Sequence, residues 1–172
     1  HSDGQAALET GDFFTTWANR YDSDMPRTRT ESLTEEDVFP MGVGEVMPIH
    51  LPGHTSDGMG FHLPHLSTLV VGALLPRADR PTRWDLPGGS LMDIISSFKR
   101  MKRLEVTSIV PLQGPAIRGA DHVNDVLNRH LQFFEEAAAN DGRPPVSWDR
   151  PASTAVWFTP RTPWPLDEQE SV

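Results

Sequence analysis

Residues 69–75, Leu-Val-Val-Gly-Ala-Leu-Leu, form a continuous apolar run of the kind a strand shows when both faces are buried. Ahead of it, Val38 to Ile49 reads as a turn and a strand that runs into the Pro52-Gly53 turn. Behind it the period changes. Leu91, Ile94, Ile95, Phe98, Met101 and Leu104 recur every three or four residues, the signature of an amphipathic helix, with Ser90 as N-cap and Asp93 three positions on. Lys99, Arg100, Lys102 and Arg103 fill its last turns, where they complement the helix dipole. Val106 to Val110 is a further strand, and Val123, Val126, Leu127, His130, Leu131, Phe134 and Ala138 predict a second helix over 121–139 that covers the sheet. Near the start, Ala7, Leu8, Phe13, Phe14 and Trp17 predict two short helices broken at Gly11, with the aromatic stripe read as packing.

The rest is punctuation. Residues 22–37 have no period and form a loop whose acidic stretch, Glu31 to Asp37, reads as a solvated face. Residues 76–90, with Pro76, Pro81, Pro87 and Gly88-Gly89, form a second long loop in which Trp84 serves as a pocket wall or is buried against the core. From Asn140 onward prolines alternate with Trp148, Trp157 and Trp164, and a short strand-like run spans Thr154 to Phe158. The division expected is therefore a domain over 1–139 and an extended Pro/Trp-rich tail over 140–172 that packs on it.

Composition narrows the function. At 172 residues, 37% of them hydrophobic, the chain suffices for one core, and its 16 prolines make it loop-rich. Lys plus Arg is 15 against 24 Asp plus Glu, a net charge of −9, which turns nucleic acid and anionic membranes away as main partners and leaves a small-molecule substrate. There is no cysteine, so thiolate catalysis, Cys-ligated zinc and disulfides are excluded. No 18-residue apolar run and no basic-then-apolar leader pattern occur, and a soluble, cytoplasmic protein is expected.

Candidate chemistry centres on histidine. His54 follows the Pro-Gly turn at a strand end, a place suited to a metal ligand, while His50 fits a supporting or structural role. His62 and His65 read as solvent-facing hairpin positions, and His122 and His130 as structural.

Four segments, in order, carry a resemblance. They are His1-Ser-Asp3-Gly4 followed by Pro52-Gly-His-Thr55; Phe61-His-Leu-Pro64 leading into Leu69 to Pro76; Trp84-Asp-Leu-Pro-Gly-Gly-Ser-Leu91; and Ile109-Val-Pro-Leu-Gln-Gly-Pro115. Together they resemble the metallo-β-lactamase fold superfamily of metallohydrolases, in its glyoxalase II-like hydrolase branch, over roughly residues 1–135. The resemblance implies an α/β fold, a metallo-β-lactamase-like αββα sandwich of which this chain supplies roughly the second half. It also implies a second polypeptide, or a further segment, for the N-terminal half. By position His1, Asp3 and His54 would be metal ligands, with Asp3 as catalytic base. His50, Ala73, Trp84 and Gln113 would line the pocket or support the ligands. Three departures from the family pattern weaken the metal site: Gly4 stands where a His belongs, Ala73 where the bridging Asp belongs, and Gln113 where a late His belongs. The expectation is one zinc or iron ion, or none, serving hydrolysis of a small ester, thioester or lactone. The alternative is a metal-free, repurposed member: a cyclase, a lyase or a ligand-binding subunit.

Overall fold

The computed structural model describes residues 1–144, so all of the expected Pro/Trp tail beyond residue 144, with Trp148, Trp157 and Trp164, lies outside the described residues. Six strands form one sheet in sequence order: β1 (Phe39–Met41), β2 (Gly44–His50), β3 (Met59–Leu63), β4 (Thr68–Val71), β5 (Ser108–Val110) and β6 (Ile117–Arg118). Neighbours are antiparallel except β4 and β5, which run parallel. A parallel pair needs a crossover, and α2 (Leu91–Arg103) supplies it. The helix α3 (Ala120–Ala139) follows β6 and packs on α2.

Burial separates the two faces of the sheet. Residues directly opposite on paired strands share a face. The row Ile49, Gly60, Val71 and the row Leu69, Ile109, Ile117 are buried and join Ile94, Phe98, Met101, Val123, Val126, Leu127 and Phe134 in one core. The opposite row, Phe61, Val70 and Val110, is only half-buried.

Both predicted long helices form. Ser90 caps α2 by accepting from the Asp93 amide at 3.2 Å. The basic residues of α2 do more than complement its dipole: Arg100 forks onto Glu35 at 2.6 and 2.8 Å, and Lys99 meets Glu135 at 2.7 Å. Glu35 is thus tied down rather than part of a freely solvated acidic face.

Several local expectations change. Val38 to Ile49 is a hairpin, β1 and β2 joined at Gly42-Val43, with Gly42 at φ 57°. The apolar run ends as strand at Val71; the chain then turns, Leu75 N donating to Gly72 O at 3.2 Å, and Leu74 and Leu75 plug the core from outside the sheet. At the start, α1 (Ser2–Thr10) ends at Gly11 in the left-handed conformation and a 3₁₀ turn spans Ala18–Tyr21, as the broken pattern predicts. The aromatic stripe there is not core: Phe13 is 41% and Phe14 71% exposed.

Candidate functional site

The turn after β2 is held by α2. Ser97 Oγ donates to Pro52 O at 2.7 Å, and Ser90 N donates to Gly53 O at 2.9 Å. Gly53 sits at φ 135°, and a Cβ there would lie 2.5 Å from the Ile94 backbone nitrogen, so the turn can press onto the helix only as glycine. This pinned turn presents His50 on one side and His54 on the other.

His50 leaves the end of β2 and stacks on His1, ring centroids 3.8 Å apart and planes 7° from parallel. Its Nε2 is 2.8 Å from Ser56 O; a carbonyl only accepts, so Nε2 carries a proton and the ring's other nitrogen, Nδ1, is not used in this contact. The His50 backbone is clamped as well. Its amide donates to Glu35 Oε1 at 2.6 Å, and Arg100 Nη1 donates to its carbonyl at 3.2 Å. The Arg100 fork on Glu35 holds that carboxyl below the usual carboxylate range, with burial opposing. Asp3 lies in the first turn of α1, Oδ2 at 3.4 Å from His1 Nδ1. His1, Asp3 and His50 each offer a ligand atom within 4.8 Å of the others.

Two imidazoles and one carboxylate form a donor set that serves zinc in hydrolases and ferrous iron in other enzymes. A ligating imidazole ordinarily donates its second N–H to a carbonyl or carboxylate, the arrangement His50 makes with Ser56. The chemistry of the three residues therefore fits a single metal ion.

A cleft of about 260 Å³ opens beside Asp3. It is lined by Trp17 at the start of the 3₁₀ turn, just before Ala18, by Ser56 and Asp57, and by Leu86 to Gly88 of the 76–90 loop. Trp17 lies under the Arg83 guanidinium at 5.0 Å and the Arg20 guanidinium at 5.8 Å. Asp57 is a cleft residue that sequence reasoning passed over. A Cβ at Gly4 would collide with the Asp57 carboxylate, so the room left where the family pattern has a His is filled by this acid. The signal was an Asp three residues after His54, in the same turn.

The other expected site residues lie apart from this cluster. His54, expected with His1 and Asp3, points its Nδ1 to Thr82 Oγ1 at 2.8 Å, and Thr82 in turn donates to Ala73 O at 2.7 Å. Burial lowers the His54 pKa, so the ring is neutral at pH 7, with the Arg83 backbone acting in the opposite direction. Ala73 and His54 line a second cavity, of about 190 Å³, with Pro76, Arg80, Pro81, Thr82, Arg83 and Leu112. Gln113 is exposed, and its backbone N–H donates to Pro76 O at 2.9 Å. Trp84 packs on Phe133 and Phe134 at 6.4 and 6.0 Å between centroids, which makes it a core residue first. His130 is fully buried against Phe98, its Nε2 2.9 Å from Ala78 O.

A mixed sheet with helices on one face and a His/Asp group beside a cleft at the strand ends defines an α/β protein with a candidate metal site. The sequence matches the family model "Metallo-beta-lactamase superfamily" over residues 7–113, and the chain belongs to that superfamily. Its fold is similar to that of BLEG-1 B3 metallo-beta-lactamase, with a TM-score of 0.59 and 20% identity, covering 73% of this chain and 60% of that one. It is similar also to the metallo-beta-lactamase family protein TTHA1429 from Thermus thermophilus, with TM-score 0.56, 16% identity, and 86% and 51% coverage. ETHE1 from Myxococcus xanthus gives TM-score 0.52, 18% identity, and 67% and 54% coverage. An uncharacterized protein of Aquifex aeolicus (strain VF5) is 36% identical over 69 residues, 40% of this chain and 32% of that protein. The chain thus spans from a third to three fifths of the lengths of these relatives. Among the described residues no helix is long and apolar enough to cross a membrane.

Proposed function

We propose that this chain is the metal-binding part of a cytoplasmic hydrolase acting on a small ester, thioester or lactone with at most one zinc or iron ion. The observation that carries this reading is the convergence of His1, Asp3 and His50 within 4.8 Å at the edge of the cleft. When bound, such an ion supplies a Lewis acid for the substrate carbonyl and makes water acidic enough to attack near neutral pH. The chain's own residues do the rest. His50 is held in one tautomer by Ser56 and in place by Glu35 and Arg100. Asp3, half exposed beside His1, takes the proton of the attacking water and returns it to the departing oxygen or sulfur. Trp17 and Leu86 supply apolar walls for the acyl group.

The substrate is a small molecule, and a second polypeptide or further segment packs on the half-buried face that carries Phe61, Val70 and Val110. Hydrolysis of a p-nitrophenyl ester and of an acyl thioester by the purified protein, with and without chelator, tests the reading. Activity lost in chelator and restored by zinc or ferrous iron supports it; activity unchanged in chelator ends it.

One observation favours a second reading, in which the pocket is metal-free and binds a ligand or runs a cyclisation or elimination. His54, Ala73 and Gln113 are not assembled around His1 and Asp3 but sit at or beside a separate cavity.

A further inference from the structure

Three arginines lie in the loop between β4 and α2, and two of them have acidic partners. Arg77 Nε donates to Asp79 at 2.9 Å, and Arg83 forks onto Asp85 at 2.7 and 2.5 Å. Arg80 has no acidic partner among the described residues, and its Nε is buried with no acceptor within reach. A guanidinium stays charged at any accessible pH, and burying one of its N–H groups without a partner is unfavourable. Arg80 also lines the 190 Å³ cavity, whose other walls are Ala73, Pro76, Pro81 and Leu112, the neutral His54, Thr82, whose hydroxyl is already used on Ala73 O, and Arg83, which is paired with Asp85.

We propose that this cavity binds a small organic carboxylate, its apolar body against Ala73, Pro76, Pro81 and Leu112 and its carboxylate on Arg80. The charge count selects the class. With Arg83 neutralised by Asp85, one uncompensated cation faces the cavity, which suits a monoanion; a phosphate dianion is ordinarily met by several cations or by a helix N-terminus. The volume, below that of pockets for drug-sized ligands, restricts the ligand to a small molecule. This site is separate from the His1, Asp3 and His50 group, and it stands or falls independently of the metal reading.

The experiment is a titration of the full chain, in chelator, with hexanoate and with hexanol, followed by calorimetry. Hexanoate is expected to bind at least tenfold more tightly than hexanol. Arg80→Gln is expected to remove that difference while hexanol binding stays within twofold, which also shows that the variant is folded. Ala73→Leu, which fills the cavity, is expected to weaken both ligands. Equal affinity for the two probes in the native chain overturns the proposal, as does a hexanoate preference that survives in Arg80→Gln. Should Arg80→Gln fail to fold, undiminished hexanoate binding in Ala73→Leu overturns it instead. Because chelator is present throughout, loss of metal-dependent hydrolysis leaves every one of these outcomes unchanged.

Discussion

His50 and His54 are four residues apart in one turn and have different fates. The ring of His50 stacks on His1 and is fixed through Nε2, whereas the Nδ1 of His54 is engaged by Thr82. His50→Ala is therefore expected to weaken metal binding at least as much as removal of a supporting partner does, roughly 10–100-fold. His54→Ala is expected to leave it within about threefold. Zinc content by elemental analysis after dialysis reads both, and the reverse order sinks the ligand assignment. His130 is a different case. Burial pushes its pKa down to about 4 from 6.5, with the Ala78 carbonyl opposing. The unfolded chain then binds the extra proton between pH 6.5 and 4, so stability is complete above 6.5 and falls as the pH drops through that window, by up to about 3 kcal/mol. Melting curves from pH 7 to 4 should show this slope, and His130→Phe should flatten it; an equally steep slope in the variant would exclude His130 as its source.

At the scale of elements, the site depends on contacts between segments far apart in the chain. Gly53 lets the turn after β2 touch Ile94, and any side chain there meets both a strained φ and the α2 backbone. Gly53→Ala should lower stability by about 2 kcal/mol or more, measured by urea unfolding, and a change under about 0.5 kcal/mol would show that the turn can lift away without loss. The Glu35 and Arg100 pair joins the 22–37 loop to α2 across the His50 backbone. Both side chains are more than a third exposed, so screening reduces the pair to a coupling of about 0.5–1 kcal/mol. A double-mutant cycle with Glu35→Gln and Arg100→Gln at low and high salt should show that coupling shrinking with salt. Zero coupling at low salt would make the contact incidental.

For the whole molecule, the two faces of the sheet set the question. One face is sealed by α2 and α3, while Phe61, Val70 and Val110 on the other are half-buried. A further layer on that face would complete the burial of these side chains, and this underlies the proposal of a companion polypeptide or segment. The 172-residue chain by itself should bind an apolar dye such as ANS strongly and self-associate at micromolar concentration. A dye-silent monomer in sedimentation would count against the companion.

The sequence by itself determined the elements whose cause is local. The 3.6-residue period of Leu91 to Leu104 and of Val123 to Ala138, the Ser90 cap and the break at Gly11 each rest on neighbours a few positions away, and each formed as read. The order of four motifs was also legible, and it pointed to the superfamily that the match over residues 7–113 shows. Tertiary structure decided what depends on partners distant in sequence. It set where β4 stops, that Phe13 and Phe14 face water, and that Glu35 clamps His50 across 15 residues. It also set which imidazole of the turn meets His1 and Asp3, because ring direction follows from packing on α2 and on the 76–90 loop. Arg80 is the plainest instance. The pairings of Arg77 with Asp79 and of Arg83 with Asp85 are local, two residues apart, but only the fold places Arg80, which has no such acid two positions on, at the wall of a cavity.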